Sequence, residues 1–253
     1  MKILVVGGTH GDERTGIDVV MMLRSCKVKK IDTLIANPRA TKMYCRFTET
    51  DLNRSFRVVN PASYEEIRAQ EISETMGEYD IVLEFHNTNS KGTCIILTSQ
   101  KPSEMQLKVA AHFGFKRIVI APPGGNSLSS ISPQKTLSFE ISRSQAHKYS
   151  ADYFVKKIIA LLNGPKEVVE SDLEVYKLAN RKVMKSELAA FGMAIDEFAD
   201  FVAFDSRQLE RLDLEAGTAP FLVGGYGVVN PDFAFNVVKL EGRYKDQRRL
   251  CDE

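Results

Sequence analysis

The chain has 253 residues, 43% of them hydrophobic and 26% charged, enough to bury a full core as one large domain or, as we expect, as a main domain with a smaller companion. Its 34 basic and 33 acidic residues leave a formal net charge of +1, which excludes the strong positive field of a nucleic-acid or anionic-membrane binder. Four scattered cysteines with no C-x-x-C pair exclude a disulfide scaffold, and no apolar run approaches the ~20 residues that cross a bilayer, so free thiols and a cytoplasmic enzyme are expected.

The first part of the chain alternates β-type runs with helical periodicity, the pattern of an α/β sheet covered on both faces. A strand over 2–6 precedes a helix over about 12–26, where Ile17, Val20, Met21 and Leu23 form an apolar stripe. Residues 32–36 make a second strand. A long polar loop, 37–60, then leads to a helix that Pro61 can open, and loops of such length are usually functional or disordered. Further strands are expected at 81–85, 93–97, 117–120 and 136–141, with helices around 104–113 and 145–162. Asn163-Gly164-Pro165 punctuates the chain. It divides an expected catalytic domain, 1–164, from a smaller β-rich domain, 165–253, with strand-like runs at 173–177, 221–223 and 233–238.

The first strand empties into Gly7-Gly8-Thr9-His10-Gly11-Asp12-Glu13. An imidazole and a carboxylate three residues apart can converge on one side of a helical turn, and both ligate zinc. His86, after the buried-looking run Ile81 to Phe85, would project from the same end of the same sheet. Two histidines and one glutamate leave a zinc position open for water. The long loop carries a second polar cluster, Asn37-Pro38-Arg39-Ala40, Arg46 and Asp51-Leu52-Asn53-Arg54. Guanidinium groups bind carboxylates through paired hydrogen bonds and stabilise developing oxyanions, so a substrate bearing a carboxylate is expected.

Together with His86-Asn87-Thr88, these motifs occur in the order and approximate spacing of the aspartoacylase and succinylglutamate desuccinylase family, which the chain resembles most on its aspartoacylase side. The resemblance spans most of the first 160 residues by motif, and the remainder weakly. It implies the zinc-carboxypeptidase-like α/β fold, a mixed sheet flanked by helices, with a β-rich carboxy-terminal domain over the active site. It implies that His10, Glu13 and His86 hold Zn2+ and that Glu140 is the general base. Arg46 matches the arginine that polarises the scissile carbonyl, and Asn53 and Arg54 match residues that hold the substrate carboxylate. Tyr226 would lend a hydroxyl from the second domain. The reaction implied is hydrolysis of a small N-acyl amino acid to a carboxylate and a free amino acid, with neither nucleic acid nor membrane as partner and a homo-oligomer left open.

The chain departs from the family pattern in three places. It has Asp12 where relatives have asparagine, and Glu84-Phe85-His86 where they have D-L-H. Glu84 falls on the same strand face as His86 and is placed to orient an imidazole. The arginine that relatives carry upstream of the general base, to grip an acidic side chain, is replaced by a serine-rich segment, 127–135, with Lys135 or Arg143 as the available substitutes. Specificity is therefore expected to shift or broaden toward neutral side chains. Other residues have plainer readings. His112 is a packed or surface histidine, His147 is open to a pocket role, and Ser132-Pro133-Gln134-Lys135 matches a serine acyl-transfer pattern that recurs by chance. Without G-x-G-x-x-G or a Walker lysine, Gly7-Gly8 is not expected to bind a dinucleotide. A carboxypeptidase-like peptidase or desuccinylase, and a metal-poor binding protein on the same fold, are the competing readings.

Overall fold

The apolar run after Lys2 becomes β1 (Ile3–Gly7), buried along its whole length as a parallel strand covered on both faces must be. The computed structural model describes residues 1–99, 101–122, 125–165, 173–225 and 230–243. After β1 come α1 (Arg14–Cys26), β2 (Ile31–Ile35), α2 (Pro38–Met43), α3 (Tyr64–Thr75), β3 (Ile81–Thr88), β4 (Cys94–Leu97) and α4 (Glu104–His112). They are followed by β5 (Arg117–Ile120), β6 (Thr136–Ser142), α5 (Ala151–Leu161), β7 (Glu174–Met184), α6 (Lys185–Ala190), α7 (Ser206–Arg211), β8 (Thr218–Phe221) and β9 (Phe233–Arg243). The nine strands among the described residues form one mixed sheet in the order β2-β1-β3-β6-β4-β5-β7-β9-β8, so the carboxy-terminal strands continue the sheet begun at the amino terminus. β2, β1, β3 and β6 are mutually parallel, while β4 runs antiparallel to β6.

Strand alternation divides the core in two. Val5, Leu83, Phe85, Leu137 and Phe139 face α1, α4 and α5, and Phe85 stacks on Phe139 at a centroid distance of 4.8 Å. Leu4, Val6 and Val82 face the other way, against Leu52, Phe56 and the α3 residues Ala69 and Ile72. Toward the strand ends that second face changes character. Glu84, His86, Ser138 and Glu140 take the positions that continue it, with His86 directly paired to Glu140 across β3 and β6. No helix among the described residues is long and apolar enough to cross a membrane.

The expected elements shift where capping decides the boundary. The polar loop after β2 contains a helix, α2, because the Asn37 side chain accepts from the Ala40 N–H at 3.0 Å and Pro38 sits in the first turn. The next helix does not open at Pro61. It starts after Ser63, whose side chain and that of Glu66 cap one another's backbone N–H groups. The helix expected from 145 begins only at Ala151, behind a Ser150 cap, and His147 lies exposed in the preceding turn.

One buried acid organises the long loop. Glu65 in α3 has no solvent exposure, and its two oxygens accept from the Thr48 N–H at 2.7 Å, the Thr48 hydroxyl at 2.6 Å and Asn37 Nδ2 at 3.1 Å. The Glu49 and Thr50 N–H groups add bonds at 3.1 and 3.2 Å. Although burial opposes its charge, these donors draw the carboxyl down to about 2. A carboxyl lowered on folding adds stability above its unfolded value near 4.5, and that stability is lost as pH falls toward the folded value of about 2. Glu65→Ala, which strands several buried donors, is expected to lower unfolding free energy at pH 7 by about 2 to 3 kcal/mol. It should also flatten the stability loss of the parent between pH 5 and 2, as read by urea melts across that range. Parental stability at pH 7 in the variant would show that water replaces the carboxylate without cost.

Candidate functional site

Position in the sheet brings the charged residues together. β1 and β3 are adjacent and parallel, so their carboxyl ends deliver Gly7 to Glu13 and His86 to one edge, where open α/β sheets place their ligands. The turn is tight. Gly8 has φ +68°, and a Cβ on Gly11 would stand 2.1 Å from the Ala40 carbonyl carbon, so the glycines let the turn lie against α2. His10 and Glu13 are not on a helical turn, as their spacing allowed. Glu13 is the extended residue before α1, with its N–H bonded to the His10 carbonyl at 3.2 Å.

Glu13 is the centre of the cluster. His10 Nδ1 stands 2.8 Å from one of its oxygens and His86 Nδ1 2.9 Å from the other, while the Asn87 N–H donates at 3.1 Å. Arg46 Nη1 lies 3.5 Å away. The far ring nitrogens each meet another carboxylate. His10 Nε2 is 3.0 Å from Asp51 Oδ1, and His86 Nε2 is 3.0 Å from Glu84 Oε1. The second contact is close but badly angled, leaving His86 Nε2 without an aligned partner. Thr9 and Ser138 hydroxyls hold Glu84 at 3.1 and 2.8 Å, and Arg46 Nη2 reaches Asp51 at 3.5 Å.

Charge follows from these contacts. Burial disfavours the imidazolium of His10, but Glu13 and Asp51 outweigh it and hold the ring above its usual range; Glu84 and Glu13 do so more strongly for His86. Glu13 and Glu84 are buried and Asp51 half-buried, yet their histidine partners pull all three below the usual carboxylate range. Glu140 differs. Burial, only partly offset by the nearby His86, pushes its carboxyl up to about 7, the range suited to proton transfer.

His10, Glu13 and His86 are all buried, and one ligand atom from each lies within 4.8 Å of the others. When Asp51 takes the His10 Nε2–H and the His86 proton also sits on Nε2, beside the Glu84 carboxylate, both Nδ1 lone pairs face the Glu13 carboxylate. Such a set of lone pairs is stable only around a proton or a metal ion, and two imidazoles with one carboxylate suit a divalent ion of borderline softness. The residues therefore fit a metal.

His10, Glu13 and His86 line a cleft together with Asp12, Arg46, Asn53, Arg54, Asn87, Glu140 and Arg143. Arg54 is exposed at its wall, and Arg143 stands at the mouth with Asp12 at 3.6 Å. Lys135 does not reach the cleft; its ammonium bonds the Gly77 carbonyl at 3.3 Å. His112 is buried away from it, with Nε2 on the Lys157 carbonyl at 2.9 Å. Tyr226 lies outside the described residues. Sequence reasoning placed Asp51 in the polar cluster without giving it a role, although an aspartate beside the arginine-bearing loop was the available signal. Glu65 carried no signal at all, since a glutamate in a helix reads as solvent-facing.

Residues 1–152 match the succinylglutamate desuccinylase/aspartoacylase catalytic domain. A probable aspartoacylase of Trichodesmium erythraeum is 36% identical over 128 residues, 44% of this chain and 43% of that protein, so the match spans less than half of the relative's length. The N-acyl-aromatic-L-amino acid amidohydrolase (carboxylate-forming) of Rattus norvegicus is 28% identical over 217 residues, 70% of this chain and 67% of that one. Among solved structures, the succinylglutamate desuccinylase of Chromobacterium violaceum superposes with a TM-score of 0.72 at 18% identity, covering 96% of this chain and 85% of that one. The architecture is thus the zinc-carboxypeptidase-like one, and the chain belongs to the succinylglutamate desuccinylase/aspartoacylase family.

Proposed function

We propose that the protein is a zinc-dependent amidohydrolase that cleaves the amide of a small N-acyl amino acid, releasing a carboxylate and the free amino acid. The observation that carries this reading is the convergence of His10, Glu13 and His86 in a cleft that also holds Glu140, Arg46 and Arg54. Bound by the first three, Zn2+ would lower the pKa of a water toward about 7 and polarise the scissile carbonyl. Asp51, bonded to His10 Nε2, and the Glu84 carboxylate, 3.0 Å from His86 Nε2, favour the tautomers in which both Nδ1 atoms would be free for the metal. Glu140 takes the proton released by the attacking water and delivers it to the leaving amine, a role its raised pKa serves in both directions. Arg46 stabilises the oxyanion that forms at the carbonyl. Arg54 and Asn53 bind the carboxylate of the amino acid, and residues 165–253 act as the unit that closes the cleft, through Leu222 and Gly225. Tyr226 is proposed to add a hydroxyl there. The names of the relatives, an aspartoacylase and an N-acyl-aromatic-L-amino acid amidohydrolase, support the same bond type.

Protein from zinc-supplemented growth is expected to hold about one zinc per chain after dialysis, and His86→Ala should lose most of it, because three protein ligands are the minimum for an open site. Equal zinc in the variant would remove His86 from the metal site.

Glu140→Gln keeps the shape of the side chain but cannot accept a proton. Zinc content should stay at the parental level while kcat on N-acyl amino acids falls by about two orders of magnitude, the usual scale for a general base. Intact turnover would place the base elsewhere. Assay of short peptides beside the N-acyl amino acids separates this reading from a carboxypeptidase, which would prefer the peptides.

A further inference from the structure

A second compartment lies beside the cleft, and the two share Asn53, Arg54, His86, Glu140 and Leu222 as their common wall. The floor of this inner compartment is a row of paired strand residues. Glu84 pairs with Ser138 across β3 and β6, Ser138 with Ile96 across β6 and β4, and Ile96 with Val119 across β4 and β5. Along that row the chemistry changes from carboxylate to hydroxyl to hydrocarbon. Leu178 in β7 and Phe221 at the end of β8 line the compartment from the carboxy-terminal region. Phe221, Leu222 and Val119 also belong to one buried apolar cluster, so a hydrocarbon group entering here extends an existing core.

The hydroxyls do not make an anion site. Thr98 donates to the Ser129 carbonyl at 2.9 Å, Ser138 donates to Glu84, and Ser127 and Ser129 bond one another at 3.0 Å. Among the described lining residues the one permanent cation is Arg54, and it stands in the wall shared with the outer cleft, where Asn53 also lies. Two carboxylates, Glu84 and Glu140, face the same space. With Arg54 and Asn53 assigned to the α-carboxylate, a second anionic group on the substrate would enter against like charge and meet, among the described lining residues, the neutral amide of Asn236 but no second cation to offset its desolvation.

We infer that the inner compartment selects an uncharged, largely aliphatic group, so that the preferred substrates are N-acyl amino acids with a single anionic group, the α-carboxylate. This rests on the amidohydrolase reading above and names its substrate class. The aliphatic group belongs either to the amino acid side chain or to the acyl chain, and two homologous series separate these sources. One series runs through N-acetyl-glycine, -alanine, -norvaline and -norleucine; the other through N-acetyl-, N-butyryl- and N-hexanoyl-glycine.

With the zinc-loaded enzyme, kcat/KM should rise by up to about fourfold for each added methylene in one of the two series, the increment of a buried methylene. N-acetyl-asparagine should exceed N-acetyl-aspartate, its charged isostere, by about tenfold or more. Ser127→Arg, which places a cation beside the compartment at a partly exposed position, should shrink that gap. Val119→Ala, a mild change in the floor, should flatten the aliphatic slope. A flat response in both series, or equal or better turnover of N-acetyl-aspartate by the parent, overturns the inference while leaving the amidohydrolase reading intact. No turnover anywhere in the panel overturns both.

Discussion

Glu13 is a carboxylate with almost no access to water, and the surrounding structure answers to that fact. An unpaired charge in such a place would be neutralised or expelled. It persists because two imidazole nitrogens, an arginine and a backbone N–H converge on its two oxygens. Those partners come from the β1–α1 turn, the end of β3 and the loop after α2, so one charge requires three separate segments to meet. Asp51 and Glu84 then repeat the problem one layer out. With Glu140 there are four carboxylates in or against the cluster and one guanidinium, Arg46, bonded among them. The excess must be offset by protons on the histidines or by a metal ion, and because both occupy the Nδ1 positions, they compete.

The support behind this layer is built from hydrogen bonds to backbone. Glu65 takes the N–H groups of Thr48, Glu49 and Thr50. It thereby holds the segment between Arg46 and Asp51, two residues that contact the Glu13 cluster. α3 thus reaches the site through a carboxylate that never touches it. Its position is itself set by the Ser63 and Glu66 cap. On the far side of the cleft, Asp200 accepts from the Gly92 N–H at 2.7 Å and the Val223 N–H at 2.8 Å, joining the loop after β3 to the carboxy-terminal region beside Leu222. A buried acid on each flank thus converts flexible backbone into a fixed wall by satisfying N–H groups that no strand pairs.

Much of this was legible in the sequence, for physical reasons that differ by element. Apolar runs of four or five residues ending in glycine or a polar cluster mark buried parallel strands, which is why β1 and β3 and the residues at their carboxyl ends could be located. Helix starts depart from expectation where a side-chain cap outweighs a proline. Ser63 and Ser150 decide those boundaries, and Pro61 does not. The helix inside the polar loop was signalled by Asn37-Pro38 but lost in the polarity of its neighbours. What could not be read is what depends on strand pairing. β4 inserts between β6 and β5 in space, not in chain order. Without that order, Ile96, Val119 and Ser138 are three unrelated residues.

The same pairing explains how one small cleft can hold two incompatible environments. On β6 the side chains of Ser138 and Glu140 point to one face two residues apart, so the boundary between them falls within a single strand. Toward the strand end, the row through His86 and Glu140 carries charge. One step back, the row through Ser138, Ile96 and Val119 carries none beyond Glu84, whose oxygens are already taken by hydroxyls and an imidazole contact. A substrate lying across that boundary would keep its reacting amide and carboxylate among charges while its remaining atoms met hydrocarbon. The low dielectric on the inner side also strengthens the electrostatic interactions on the outer one. In this arrangement the apolar rows of the sheet select the substrate and sharpen the charged site beside them.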